Sequence, residues 1–335
     1  MAAIPKSYKK NVVEGNGILI FAILFSIIIR FVYYLNFNSI ETDTTSGYIW
    51  DILSPFFNNR ATSIICSGIF TIGLALICAN INTTHVLIRR KTILPPAMAI
   101  LLFSCHPIFI NMSAEYISTL LCLLIISMLF ISYNDSYKQR AAFGTSFILT
   151  LGSFFTSSLL IYFPFLWVAL AMMRCMNFKA FLASLLGIFI LYIPAFSFYI
   201  FTDNLDTFLR PFTSLSLQQL VHIPSMNLDI THWIIFGLSI ILLAVIFTDN
   251  YINRHKDKIK TRAYLRLLST LVVFSILAYL FLNIQPMLNI FIALSTGSLL
   301  LSHFFALAER KITVIFFYIS IMVYITICLS PFLFL

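Results

Sequence analysis

Residues 17–37 read GILIFAILFSIIIRFVYYLNF, an apolar run whose only charged residue is Arg30. A helix of about 20 apolar residues is long enough to cross the roughly 30 Å hydrocarbon layer of a bilayer. The run therefore predicts a membrane-spanning helix. No small-residue cleavage site follows it, so we expect this segment to remain in the protein and not to be removed as a signal peptide.

The two flanks of this run differ in charge. Lysines precede it at Lys6, Lys9 and Lys10, whereas the acidic residues Glu41 and Asp43 follow it. Cytoplasmic flanks of membrane spans collect Lys and Arg. The charge difference therefore predicts a cytoplasmic N-terminus and an outer loop at about residues 38–60.

Arg30 lies about 20 Å along this helix, at a rise of 1.5 Å per residue, which places it near the outer boundary of the membrane. Two interpretations are open for its guanidinium. It snorkels towards the headgroups, or it pairs with a carboxylate of the following loop. The sequence favours snorkelling, because Tyr33 and Tyr34 are aromatic residues of the kind that mark a membrane interface.

The composition excludes a soluble protein. Of the 335 residues, 60% are hydrophobic and only 10% are charged, which leaves too little polar side-chain surface to cover a soluble domain. The net charge of +9 is no sign of nucleic-acid binding. All Lys and Arg except Arg30, Arg60 and Arg210 fall in connections assigned to one face, which is the pattern of membrane topology.

Alternation of apolar runs and basic connections predicts an all-α, polytopic transmembrane helix bundle of about eleven spans that forms a single domain over residues 1–335. The expected spans are residues 17–37, 61–81, 93–110, 117–133, 181–201, 232–248, 264–283, 288–306 and 313–334, with two short spans in residues 141–173. The two short spans would meet at a turn within residues 154–164. A second outer loop is expected at about residues 202–231, and a charged inner loop at about residues 249–266.

The first outer loop predicts a short helix that lies in the membrane interface. Apolar residues recur there at helical spacing, at Ile49, Ile52, Leu53, Phe56 and Phe57, while Tyr48, Trp50 and Asp51 would occupy other faces. Pro55 lies inside this pattern and is expected to break the helix. In the second outer loop the amphipathic pattern is weaker.

Candidate chemistry concentrates on the outer face. Glu41, Asp43 and Glu115 are candidate catalytic carboxylates, because a carboxylate acting as general base activates a sugar or lipid hydroxyl. Candidate substrate-binding residues for a phosphate are Arg30, Arg60, His106, Arg210 and His222. The alternative is that these loops are polar only because water solvates them. The cysteines show no metal-ligand spacing, and we expect neither a metal site nor a cofactor.

Several features together resemble a known enzyme class. They are the first span, the Glu41-x-Asp43 loop beside an interfacial helix, the Pro-led run ILPPAMAILLF at residues 93–103, and Glu115 in the next outer turn. This order resembles glycosyltransferases of the C-type fold, which use polyprenyl-phosphate sugar donors on the non-cytoplasmic side. The resemblance implies that Glu41 or Asp43 is the catalytic base and that Glu115 is a second acid of the site.

Residues 93–201 also resemble a family of multi-pass inner-membrane proteins of Bacteroidota. This similarity includes Glu115, the Ala-Ala-Phe-Gly start at Ala141 and the Phe-Pro-Phe-Leu-Trp run at Phe163. The resemblances imply a glycosyltransferase-like or polymerase-like protein of the bacterial inner membrane. Its expected partners are membrane lipids, a polyprenyl-phosphate-linked glycan and other envelope membrane proteins, with no nucleic acid. The alternative function is a non-catalytic subunit that scaffolds an envelope assembly or secretion complex.

Overall fold

The computed structural model describes residues 8–36, 47–214, 257–282, 285–308 and 311–333, and over these ranges it is helical with no strand. The α-helices in chain order are α1 (Gly17–Asn36), α2 (Tyr48–Leu53), α3 (Arg60–His85), α4 (Leu94–Leu102), α5 (Ala114–Ile131), α6 (Lys138–Ser153), α7 (Tyr162–Met172), α8 (Phe178–Phe201), α9 (Leu205–Ser214), α10 (Ile259–Phe281), α11 (Pro286–Ala306) and α12 (Lys311–Leu333). Short 3-10 helices occupy Ser54–Phe57, Pro107–Phe109 and Ser157–Ile161, and a π-helical turn occupies Lys9–Val13.

Six helices among the described residues are long and apolar enough to cross a membrane, namely α1, α3, α5, α8, α10 and α11. The chain is therefore a multi-pass membrane protein, with the all-α fold that the sequence predicts. The count of about eleven spans stays a prediction. The expected span at residues 232–248 lies outside the described residues, and the apolar segment Ser157–Met172 is shorter than a full span.

Connections with basic residues gather at one end of the bundle, which we call the basic end. Here Arg89, after α3, donates from Nε to Oδ1 of Asp257, just before α10, at 3.0 Å. Nε2 of His303, near the end of α11, lies 3.8 Å from the other carboxylate oxygen of Asp257. Tyr8 donates its hydroxyl to the carbonyl of Phe305 at 3.0 Å, so the segment before α1 reaches this end too.

The opposite end, which we call the far end, collects the remaining connections. Arg60, at the start of α3, donates to the carbonyl of Tyr33 in the last turn of α1. The amide of Ser158, before α7, donates to Oε1 of Gln285, before α11, at 3.3 Å. Helix α1 therefore runs from the basic end to the far end, and α3 and α11 run back, as the charge pattern predicts.

Helix α11 is central and α8 is peripheral. Of the most apolar window in each helix, 83% of residues are buried in α11 and 17% in α8. One side of α8 nevertheless packs very tightly on α6. A Cβ atom added to Gly187 of α8 would lie 2.9 Å from the carbonyl oxygen of Phe143 and 3.0 Å from the amide nitrogen of Phe147. Only glycine permits this approach of the two backbones.

The long apolar run at residues 141–173 divides as the sequence predicts. Helix α6 ends at Ser153, the 3-10 helix Ser157–Ile161 follows, and α7 continues to Met172. Ser118 of α5 donates its hydroxyl to the carbonyl of Gly152 at 3.3 Å and to the hydroxyl of Thr156, in the turn between them, at 2.8 Å. Buried non-helical backbone in a membrane protein requires such internal partners, because lipid supplies none.

The helix predicted in the first outer loop is present as α2 and breaks at Ser54–Phe57, where Pro55 lies. The sequence pattern did not indicate which side of this helix faces the bundle. Trp50 is buried and stacks on Phe57 at 5.3 Å, whereas the side chains of Ile52 and Phe56 are 71% and 72% exposed. The amide of Ile49 donates to the carbonyl of Phe154 at 2.9 Å, which fixes α2 with Trp50 turned inward.

Candidate functional site

The helical structure is interrupted between α4 and α5, in the interior of the bundle. The span expected at residues 93–110 is wrong in its extent, because the helix ends at Leu102. The hydroxyl of Ser104 donates to the carbonyl of Ile100 at 2.7 Å, and the thiol of Cys105 donates to that of Leu101. These bonds satisfy the last carbonyls of α4 without extending the helix. Phe103 and Ser104 are fully buried, so the break lies inside the protein.

Hydroxyl groups of α3 satisfy the backbone that follows this break. Ser63, Ser67 and Thr71 recur every fourth residue, lie on one face of α3 and are almost fully buried. Ser63 accepts a hydrogen bond from the amide of Met112 at 2.8 Å, and Ser67 donates to the carbonyl of Ile110. We call these three side chains the hydroxyl ladder. It holds an irregular segment at a depth where lipid supplies no hydrogen bonds.

The guanidinium of Arg30, on α1, contacts this hydroxyl ladder. Its Nη2 donates to the hydroxyl of Thr71 at 2.8 Å, and its Nη1 donates to the hydroxyls of Ser26 and Ser104. The residue is only 7% exposed. The snorkelling predicted for Arg30 is therefore wrong, and its described partners include no carboxylate. Neutral hydroxyls from α1, α3 and the end of α4 surround the guanidinium.

Arg60 closes the far end of α1. Its Nη2 donates to the carbonyl of Tyr33 at 2.6 Å, and its guanidinium lies 5.0 Å from the ring centroid of Tyr34. A cation at a helix C-terminus opposes the negative end of the helix dipole, and a cation over an aromatic ring gains further attraction. Asn111, in the broken segment, donates to the hydroxyl of Tyr33 at 3.3 Å. These contacts join the broken segment to α1 and α3.

Two further predicted residues lie on the broken segment or directly after it. Glu115 is in the first turn of α5 and is buried, where a carboxylate is stabilised by the positive end of the helix dipole. Nδ1 of His106 accepts a hydrogen bond from the amide of Ile108 at 3.3 Å, and the His106 ring meets the edge of Phe109 at 6.3 Å. Phe109 in turn accepts a hydrogen bond at its carbonyl from Tyr116.

The structure thus brings four predicted site residues to the far end, around the break between α4 and α5, namely Arg30, Arg60, His106 and Glu115. Glu41, Asp43 and His222 lie outside the described residues. Arg210 belongs to α9, and its side chain also lies outside what the structure describes. The geometry therefore leaves the proposed roles of the first-loop acids as predictions.

The sequence-based list missed the polar partners of this site, Ser63, Ser67, Thr71, Ser104 and Tyr116. A signal for three of them was present, because hydroxyl residues spaced by four on an apolar span mark one polar face. No such signal marked Ser104 or Tyr116. Their role depends on the return of the chain beside α1 and α3.

An aromatic cluster borders the far end. Tyr48 of α2 stacks on Phe208 of α9 at 5.8 Å and donates its hydroxyl to the Phe208 carbonyl. Burial, together with the nearby phenols of Tyr192 and Tyr199, raises the pKa of Tyr48 above its usual value. Tyr48 therefore stays a neutral hydrogen-bond donor, and the cluster fastens α2 to α8 and α9.

Among the described residues, no group of three His, Cys, Asp or Glu side chains gathers in a way that suits a metal ion. Around the break between α4 and α5, the available chemistry consists of the buried Arg30, the partly buried Arg60, the buried carboxyl group of Glu115 and several hydroxyls. The chain matches no protein-family model, no curated protein and no solved structure.

Proposed function

We propose that this chain is an inner-membrane glycosyltransferase-like or polymerase-like enzyme that acts on a polyprenyl-phosphate-linked glycan at the periplasmic face. One observation carries the proposal. Arg30 hydrogen-bonds to Ser104 just after α4, Arg60 bonds to the last turn of α1, and Glu115 lies in the first turn of α5, at the end of the bundle opposite the basic connections. A lipid-linked glycan requires this combination, since its phosphate is anionic and its transfer needs a base.

The reaction needs one base and one anion site. A carboxylate, Glu41, Asp43 or Glu115, accepts the proton of an acceptor hydroxyl, whose oxygen forms a bond to the anomeric carbon of the donor sugar. The bond between that carbon and the phosphate oxygen breaks, and the polyprenyl phosphate leaves with the electron pair. Arginine stabilises the charge on the departing phosphate. Helix α2, with exposed Ile52 and Phe56, supports the lipid at the interface.

Glu115→Gln tests this function. Membranes containing the full chain are supplied with polyprenyl-phosphate-linked glycans extracted from the source cells, and release of the free lipid phosphate is measured. Loss of a catalytic base lowers the rate by about 100-fold or more. The matched control is Glu14→Gln, at an exposed glutamate of the basic end. The same assay is applied to Glu41→Gln and Asp43→Asn. Transfer at the wild-type rate by all three variants, with equal protein in the membrane, would contradict the proposal.

A second candidate function is a non-catalytic subunit of an envelope assembly, and the exposed surface of α8 favours it. Large apolar side chains on this helix are uncovered, including Leu186, Phe189 and Ile193. On this alternative, a membrane partner covers that surface. Extraction in mild detergent would then recover a stable complex, and Leu186→Trp would dissociate it. A monodisperse chain with no partner would exclude this alternative.

A further inference from the structure

Arg30 carries a charge that its described surroundings do not neutralise. Its partners are the hydroxyls of Ser26, Thr71 and Ser104 and the phenol of Tyr116, which are all neutral. The carbonyl end of α4 lies beside Ser104 and contributes only the partial negative charge of a helix terminus. An arginine buried in a membrane protein without a counter-ion is costly, and such residues commonly serve a function.

The guanidinium also has an unused edge. Nε of Arg30 is buried and has no hydrogen-bond partner among the described residues, whereas the Nη groups donate to hydroxyls. Arginine binds phosphate through two parallel N–H groups, because the spacing of its nitrogens matches that of two phosphate oxygens. The edge that contains Nε is therefore suited to accept an oxyanion.

Gly68 of α3 lies directly beside this edge. A Cβ atom built on Gly68 would be 3.4 Å from Nε and 3.6 Å from Cδ of Arg30. Gly68 itself is partly exposed, and its flanks on α3 and α1 carry the exposed apolar residues Ile65, Ile72 and Ile27. Because residue 68 is glycine, no side chain of α3 stands at this position between the Arg30 guanidinium and the hydrocarbon side of the bundle.

We propose that the Arg30 edge is a binding site for the phosphate group of a lipid, which enters sideways between α1 and α3 past Gly68. The chemistry at the site is that of a phosphate ester, and the apolar flanks assign its source to a lipid and not to a free anion. Identification of that lipid as a polyprenyl phosphate rests on the proposed function. Binding of the phosphate neutralises the buried guanidinium and occupies its unpartnered Nε.

Farnesyl phosphate, farnesol and inorganic phosphate are the probes for the purified full-length chain in a neutral detergent. We expect farnesyl phosphate to raise the thermal unfolding temperature, and we expect farnesol and inorganic phosphate to leave it unchanged. A shift of equal size with inorganic phosphate alone would overturn the assignment to a lipid. A shift of equal size with farnesol would show that the phosphate is not recognised and would overturn the site.

Gly68→Ala supplies the decisive variant, because it keeps the guanidinium and fills the space beside Nε. We expect it to weaken farnesyl phosphate binding by about ten-fold or more, with Arg30→Met abolishing the binding. Gly73→Ala on the same helix is the matched control, because its Cβ would meet only the flexible end of Leu120 at 3.7 Å. Wild-type binding by Gly68→Ala would overturn the proposal even if Arg30→Met did not fold.

The binding measurement uses no glycan and requires no turnover. Failure of Glu115→Gln to reduce transfer would therefore bear on the proposed function and leave the Arg30 site intact. Conversely, loss of the site with transfer retained would overturn only the inference about Arg30.

Discussion

Thr71 shows how a single hydroxyl supports two elements at once. It accepts the hydrogen bond of Arg30 from α1 and donates its own proton to the carbonyl of Ser67 within α3. Valine has nearly the same shape but neither donates nor accepts. Replacement of Thr71 thus removes a polar partner of a buried cation without opening a cavity.

Thr71→Val should lower the free energy of unfolding by about 1–3 kcal/mol, because it leaves a buried N–H of Arg30 without its acceptor. The measurement is thermal unfolding of the purified protein in detergent. Thr83→Val is the matched control, since Thr83 is exposed on the same helix and bonds only to backbone carbonyls of its own helix. Equal stability of the Thr71→Val protein and the control would contradict the role assigned to the hydroxyl ladder.

The sequence located the charge of Arg30 but not the groups that bind it. The position of Arg30 within an apolar run was sufficient to estimate its depth. Its partners Thr71 and Ser104 are 41 and 74 residues away along the chain, and no local pattern joins them to Arg30. Snorkelling was the favoured prediction because Tyr33 and Tyr34 indicate an interface, whereas hydroxyls supplied by other helices retain the side chain inside.

Among the helices, the contact between α6 and α8 depends on the absence of a side chain at Gly187. The hydroxyl oxygen of Ser146 and the backbone of Phe143 occupy the place that a Cβ would take. Backbone atoms of a packed helix cannot move individually, so a larger residue must displace the whole helix.

Gly187→Ala should therefore destabilise the protein by about 1–3 kcal/mol, despite the better helix propensity of alanine. Thermal unfolding in detergent measures the change. Gly297→Ala in α11 is the control, because no heavy atom counted as a neighbour lies within 4 Å of the new Cβ. The stability of this variant should equal or exceed that of the wild type. A Gly187→Ala protein as stable as Gly297→Ala would show that α6 and α8 are not closely packed there.

The ion pair at the basic end links α10 and α11 to the connection after α3. The side chain of Asp257 is 8% exposed, and it lies within 4 Å of Arg89 and His303. Asp257→Asn should cost about 1–2 kcal/mol, a modest value because Arg89 is partly exposed to solvent. The exposed pair of Lys9 and Glu14 supplies the control, and Glu14→Gln should change stability by less than about 0.5 kcal/mol.

Helix existence and direction followed from the sequence more reliably than helix length. Apolar runs between basic connections predicted every long helix among the described residues. The end of α4 at Leu102 was not predicted, because residues 103–105 continue the apolar run. Ser104 and Cys105 bond through their side chains to the last carbonyls of α4, and Pro107, which disfavours continuation of the helix, follows. The sequence pattern also did not predict that Trp50 is buried, because backbone hydrogen bonds between α2 and Phe154 set the orientation of α2.

The proposed function places the broken segment, Arg30 and Glu115 across the membrane from the basic connections. The described residues place Arg89, Asp257 and Lys258 at one end and Asn58, Arg60 and Glu115 at the other. The excess of Lys and Arg at the basic end predicts that this end is cytoplasmic. The proposed glycan chemistry requires the far end to face the periplasm.

Site-directed cysteine labelling tests which side of the membrane each end of the bundle faces. Asn58→Cys and Lys258→Cys, each at an exposed position and in a background without native cysteines, are treated with a membrane-impermeant maleimide in intact spheroplasts and in inside-out vesicles. We predict labelling of Asn58→Cys only in spheroplasts and of Lys258→Cys only in inside-out vesicles. Labelling of both positions from the same side would contradict the topology, and the proposed periplasmic site with it.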